Sequence, residues 1–328
     1  TILPGERKNI NFIASTLYTN TELNIPVIVA RAKKRGSTVL ITAGIHGDEI
    51  NGVEIIRKFI SRKMNQPKKG TIICIPIINI HGFLNMERYF PDGRDLNRSF
   101  PGFKRGSLAS RFAYQFTHEI LPIADVCLDF HSGGAKRFNA AQIRLTKGCE
   151  KSLKLAKTFN APFTLYSKAL PKSLRSICVK KEIPYLIFEG GMSGNINKEV
   201  AQEGVIGILR VLKNLGMLKQ KFAIKNPVTK TIFIKKTRWI RASYSGMFHK
   251  KIAVGQYAEK GTHLASITDP YGSFLRKIKS PHDGFIINAN LSPIVFEGDA
   301  LFNITKNLDH AKNETQEDLQ GKTYEFKL

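Results

Sequence analysis

Four apolar runs in this chain each lead into a polar residue with glycine close by. That repetition limits the fold more than any other feature. The runs are 38–43, 71–78, 125–130 and 183–188, and they deliver His46 with Glu49, Asn79, His131 and Glu189. Helical patterns separate them. Val53, Ile56, Phe59 and Ile60 recur at helical spacing, as do Leu108, Phe112, Phe116 and Ile120 behind a capping Ser107. Buried strands alternating with amphipathic helices predict an α/β fold: a mostly parallel or mixed sheet sandwiched by helices. In such a sheet the ligand crevice lies at the carboxyl ends of the strands, where these four polar positions would converge.

The first strand end reads Gly44-Ile45-His46-Gly47-Asp48-Glu49. His-x-x-Glu offers an imidazole and a carboxylate that can reach one cation. The same six residues also read as an ordinary helix start, with acids favouring the dipole and glycines making the turn. His131 lies 82 positions beyond Glu49, on a separate strand. His46, Glu49 and His131 together are a candidate metal triad. Three protein donors with a fourth position open is the pattern of catalytic zinc, and nitrogen and oxygen donors without thiolate suit Zn²⁺. A hydrolytic zinc site also needs a carboxylate to move the water's proton, and Glu189 is a candidate. The segment from Arg88 to Gly102 lacks periodicity and carries three arginines with two aspartates and an Asn. A long irregular loop rich in apolar residues reads as functional, and guanidinium forks suit carboxylates. The other reading is a surface loop held by internal Arg–Asp pairs.

After about residue 225 short strands with glycine turns replace the helical patterns. Two stretches look alike there, with Gly246 to Gly261 spaced by 15 and Gly284 to Gly298 by 14. Such near-duplication predicts a small quasi-symmetric β-sandwich, and it resembles the biotinyl/lipoyl-type fold. The tip between the halves, Thr268-Asp269-Pro270-Tyr271-Gly272-Ser273, has no lysine to modify, so the region reads as a structural appendage. The expected organisation is a catalytic domain at 1–225, the β domain at 226–306 and a loose polar tail at 307–328.

The net charge of +25 favours an anionic partner. The basic residues are dispersed and no block interleaves aromatics with arginine, so a small anionic substrate is favoured over nucleic acid. No apolar run approaches a membrane span. The first residues, Thr1 to Lys8, lack a signal peptide's apolar middle. Four dispersed cysteines without a C-x-x-C pair fit a reducing compartment, and the expected location is cytoplasmic. A homo-oligomer is compatible with the sequence.

His46-x-x-Glu49, Asp95-Leu96-Asn97-Arg98, Asp129-Phe130-His131-Ser132 and Glu189-Gly190-Gly191 stand in this order within roughly residues 25–220. Together they resemble the succinylglutamate desuccinylase/aspartoacylase family of the zinc carboxypeptidase clan. The C-terminal β region resembles the one appended in bacterial members. The resemblance implies one Zn²⁺ per chain on His46, Glu49 and His131, with Glu189 as general base and acid. It implies that Asn97 and Arg98 hold the substrate's carboxylate, and that Asp95 orients a ligand histidine, His46. It also implies an arginine ahead of Asp95 that polarises the scissile carbonyl. Arg88 is the first choice and Arg94 the alternative; Arg144 and Arg175 would face the substrate as well. The expected activity is a zinc-dependent amidohydrolase that deacylates an N-acyl amino acid. The alternatives are a metallocarboxypeptidase acting on a small peptide and a non-catalytic protein that binds nucleic acid or another anion.

Overall fold

The computed structural model describes residues 2–222, 224 and 230–306. The expected domain boundary at 225 and the expected tail at 307–328 lie outside them. Strands β1 (Arg7–Thr16) and β2 (Glu22–Arg31) form an antiparallel hairpin. They lead into β3 (Thr38–Ala43), α1 (Ile50–Ser61), β4 (Thr71–Ile75) and α2 (Ile80–Asn85). A long loop then precedes α3 (Leu108–Gln115), β5 (Val126–Gly133) and β6 (Arg137–Leu145). Next come α4 (Glu150–Phe159), β7 (Phe163–Tyr166), α5 (Leu174–Lys180), β8 (Tyr185–Met192) and α6 (Lys198–Asn214).

Strands β4, β3, β5 and β8 pair in parallel, and antiparallel neighbours, β2 and β6, flank them. Alternation along each strand feeds two cores, as a sheet covered on both faces requires. Val39, Ile41, Leu128 and Phe130 face the core built with α1, α4 and α6. Leu40, Ile73, Cys127 and Ile187 face the core that includes α3 and α5. Ser107, Ser173 and Asn197 cap their helices by accepting from the backbone N–H three residues on.

Two local expectations change. The second apolar run stops as a strand at Ile75, because Pro76 has no N–H for the ladder. The chain still runs beside β3: Ile78 and Asn79 donate to Ala43 and Gly44, which keeps Asn79 at that sheet end. The alternating apolar and polar residues of 8–31 read as edge strands, yet β2 lies between β1 and β4. Pro26 is tolerated because pairing with β4 begins only at Ile28.

Residues 230–306 are all β. Their strands are β9 (Ile232–Ile234), β10 (Lys236–Arg241), β11 (Gly246–Lys250), β12 (Tyr257–Ala258) and β13 (His263–Thr268). They continue as β14 (Leu275–Lys279), β15 (Gly284–Asn290), β16 (Ile294–Val295) and β17 (Ala300–Lys306). The two similar halves are visible in the backbone. A Cβ on Gly246 would lie 2.4 Å from the Thr268 carbonyl, and one on Gly284 lies equally close to that of Thr305. Strands β14, β13, β11 and β16 form a separate sheet. Strands β15, β17 and β10 instead extend the large sheet, because β15 pairs antiparallel with β6.

Candidate active site

The turn after β3 presents His46 and Glu49 at the carboxyl edge of the sheet. Gly44 adopts φ +62°, and a Cβ on Gly47 would sit 1.9 Å from the Gly82 carbonyl carbon. Only glycine fits either position at low cost. Neighbouring β5 brings His131 to the same edge. His46, Glu49 and His131 are each at most 4% exposed, and one donor atom from each falls within 4.8 Å of the others.

The contacts fix which ring nitrogens face inward. His46 Nδ1 lies 2.6 Å from Glu49 Oε1, and His131 Nδ1 lies 2.9 Å from Glu49 Oε2. On the outer side, His46 Nε2–H donates to Asp95 Oδ1 at 3.1 Å, and His131 Nε2–H donates to Asp129 Oδ2 at 2.9 Å. Asp129 in turn accepts from Thr42 at 2.7 Å and from the Tyr185 hydroxyl. Each imidazole is thus held by a carboxylate behind it, the arrangement that sets the tautomer of metal-binding histidines. The inward Nδ1 atoms face carboxylate oxygens. Lone pair against lone pair is repulsive unless a proton or a cation lies between.

The ionisation follows. Burial alone would lower the His46 pKa, but the Glu49 charge and the Asp95 bond hold it above its ordinary value. Burial likewise opposes protonation of His131, yet Asp129 and Glu49 raise it well above the ordinary range. Burial would raise Glu49, and the two histidines instead hold it well below a normal carboxylate. Asp95 and Asp129 are also lowered against burial, Asp95 by His46 and Arg88 and Asp129 chiefly by His131. A proton on either Nδ1 would relieve that repulsion from the place a cation would occupy. Two imidazole nitrogens and a carboxylate oxygen could hold a borderline divalent ion such as zinc, with room for a further ligand.

The triad opens into a cavity of about 570 Å³. Glu189, on β8 beside His131, lines it, with Oε2 accepting from Asn139 Nδ2 at 2.8 Å. Its Oε1 pairs with Arg144 Nε at 2.9 Å, an ion pair not aligned as a hydrogen bond. Arg88 lines the cavity and reaches both Asp95 (2.9 Å) and Glu49 (3.4 Å). Arg94 does not line it and turns onto Asp92 at 3.5 Å. Asn97 and Arg98 line the wall; Asn97 Oδ1 accepts from the Leu174 N–H, which leaves the amide's N–H₂ end for other partners. Arg144 and Arg175 complete that side. Arg175 donates to Ser167 and to the Lys168 carbonyl, and burial lowers its pKa.

Some contributors escaped the sequence reading. Asp129 had a signal, since it stands two residues before His131 and so on the same face of β5. Asn139, Arg137, Trp239 and Asn288 also line the cavity and gave none. Trp239 and Asn288 come from β10 and β15, so the region expected as an appendage reaches the cavity.

A mixed sheet between helix layers, with a His–Glu–His cluster at its carboxyl edge, defines the zinc-carboxypeptidase-like class of fold. Within it, the chain belongs to the succinylglutamate desuccinylase/aspartoacylase family, whose catalytic-domain model matches residues 35–215. An N-alpha-acetyl-L-2,4-diaminobutyric acid deacetylase from Halomonas elongata is 27% identical over 290 residues, 84% of each chain. The crystal structure of a succinylglutamate desuccinylase/aspartoacylase from Rhodobacter sphaeroides aligns at a TM-score of 0.78 and 25% identity, over 92% of this chain and 95% of that one. The product-bound ectoine utilization protein EutE (DoeB) from Ruegeria pomeroyi aligns at 0.77 and 21% identity, over 93% and 98%, a likeness of fold.

Proposed function

We propose that this protein is a zinc-dependent hydrolase that removes the acyl group from an anionic N-acyl amino acid. The observation that carries the reading is the convergence of His46, Glu49 and His131 within 4.8 Å, with Glu189 in the same cavity. In this reading Nδ1 of both histidines and the Glu49 carboxylate hold the ion. Bound there, zinc would supply Lewis acidity and a water acidified to a pKa of about 7. Glu189 would accept the attacking water's proton and return it to the departing amine. Arg88 would turn a guanidinium N–H toward the scissile carbonyl, where charge develops. Asn97 and Arg98 would hold the α-carboxylate, and Arg144 and Arg175 would face the rest of the substrate. A catalytic domain at 1–225 carrying a β domain at 226–306 is part of the same reading.

The amino acid can be narrowed by charge. Five arginines line the cavity (Arg88, Arg98, Arg137, Arg144 and Arg175), against two glutamates, Glu49 and Glu189. Both glutamates are engaged by cations or histidines. An ammonium side chain such as that of diaminobutyrate would meet net repulsion; a second carboxylate would not. The test joins metal analysis to an amine-release panel. It holds N-acetyl-L-aspartate, N-acetyl-L-glutamate, N-succinyl-L-glutamate, N-α-acetyl-L-2,4-diaminobutyrate and simple dipeptides. One zinc per chain and preferred turnover of the dianionic acyl amino acids are expected. Faster cleavage of dipeptides would turn the reading to a carboxypeptidase, and no hydrolysis of any member would refute it.

A further inference from the structure

We propose that Asn288, on C-terminal strand β15, is a positioning residue for Glu189 and acts through Asn139. The proposal rests on the reading of Glu189 as general base and acid. Both asparagines are buried, at 7% and 2% exposed, and both line the cavity. They are direct cross-strand partners in the β6–β15 pairing, so their side chains share a face.

That face is the Glu189 face only because β6 is irregular. Gln142 stands opposite Glu189 and Asn139 opposite Gly191, one residue out of simple antiparallel register. A regular ladder would set Ala140 opposite Gly191 and turn Asn139 to the other side of the sheet. The extra residue reverses the alternation beyond it and re-aims Asn139 at the carboxylate.

The amide has two unlike ends, an acceptor oxygen and a donor nitrogen. Asn288 Nδ2 donates to Asn139 Oδ1 at 2.5 Å. With its oxygen engaged there, Asn139 must present Nδ2 to Glu189 Oε2, the 2.8 Å contact. Rotating that amide by half a turn would set an acceptor against the carboxylate. A donor 149 residues away in the chain therefore holds the far end of the amide and keeps toward Glu189 the end that an acceptor requires. Among the described residues the other carboxylate oxygen is held only by Arg144, whose side chain is 38% exposed and whose Nε is not aligned with it. Oε2 is the anchored oxygen, and Oε1 is the one left to exchange partners during turnover.

The test uses the full chain, loaded with zinc, and the panel substrate that the unaltered enzyme cleaves fastest. Asn288→Ala should lower kcat about tenfold while KM stays within about twofold and zinc content is unchanged, the range of a lost supporting hydrogen bond. In an Asn139→Ala background the same substitution should change kcat by less than about twofold, because its route to Glu189 is gone. Asn288→Asp preserves shape and packing but only accepts. It should draw the Asn139 N–H₂ away from Glu189 and lower kcat about a hundredfold, more than alanine does. A role in packing alone predicts the opposite order. A crystal structure of the Asn288→Asp variant gives a readout independent of substrate: Asn139 should have turned, with Nδ2 bonded to residue 288. The proposal is overturned if Asn139 keeps Nδ2 on Glu189 in that structure, if the two losses add, or if KM rises with kcat unchanged. Glu189→Gln separates the two readings. Full activity in that variant removes the general base and this proposal together. Loss of activity there, beside unaffected Asn288 variants, removes this proposal alone.

Discussion

The two walls of the cavity are built differently. On one, His46, Glu49 and His131 are buried, and each inward donor has a partner behind it: Asp95, the Ser132 backbone N–H or Asp129. On the other, Arg88 and Arg144 have side chains about one-third exposed, at 32% and 38%, and reach carboxylates by ion pairs. The first wall has the order an ion requires, since a metal tolerates little error in donor placement. The second can shift its partners as a substrate arrives and leaves. On this contrast, substitutions on the first wall should act on metal content, and those on the second on turnover or substrate affinity.

The sharpest attempt to break it is His46→Ala. Stoichiometric zinc should vanish, by elemental analysis, and turnover should fall below detection; retained zinc would refute the triad. Next is Glu189→Gln, at a carboxylate that belongs with the second wall through its ion pair with Arg144. Zinc should remain while kcat falls between about 10² and 10⁴-fold, the usual contribution of a positioned acid–base. A zinc-free Glu189→Gln protein would erase the distinction between the walls. Asp129→Asn keeps all three inward donors and weakens what stands behind His131, together with the bonds Asp129 accepts from Thr42 and Tyr185. A competition titration with a chelator should show zinc affinity reduced about 10 to 100-fold. The smallest effect concerns pH. Metal-free, the raised His46 and His131 contribute stability that is complete below an unfolded pKa of about 6.5 and is lost as pH rises through their folded values. The lowered Glu49, Asp95 and Asp129 contribute above about pH 4, and that share is lost as pH falls through their folded values. The metal-free protein should therefore melt highest between about pH 4.5 and 6.5 and lose a few degrees on the alkaline side. Saturating zinc should abolish the alkaline loss, because the cation replaces the protons. An alkaline loss that persists with zinc would mean that these histidines do not hold it.

The first wall was far more legible in the sequence than the second. Strand ends announce themselves as polar residues with glycine nearby after apolar runs, so His46, Glu49 and His131 of the first wall could be placed at one sheet edge from spacing, and of the second wall Glu189 alone could be placed there with them. The choice between Arg88 and Arg94 could not, since both precede Asp95 in one irregular loop. Side-chain reach separates them: Arg88 meets Asp95 and Glu49, whereas Arg94 closes on Asp92. Asn139 was hidden because its direction depends on an irregularity that no local pattern encodes. Trp239 and Asn288 were hidden because the all-β region read as self-contained. Its strand β15 joins the large sheet through a three-residue pairing with β6, Arg137 to Asn139 against Asn290 to Asn288.

The contact between Gly47 and Gly82 ties two stretches of backbone into one mechanical piece. The turn bearing His46 and Glu49 leans on the segment that goes on to carry Arg88. One added methyl at residue 47 brings no charge and removes no functional group, yet it would pry the two apart and displace His46 and Glu49 from His131. A genetic screen of this protein would then find inactive variants at positions that never meet a reactant, and the defect would look chemical until metal content was measured.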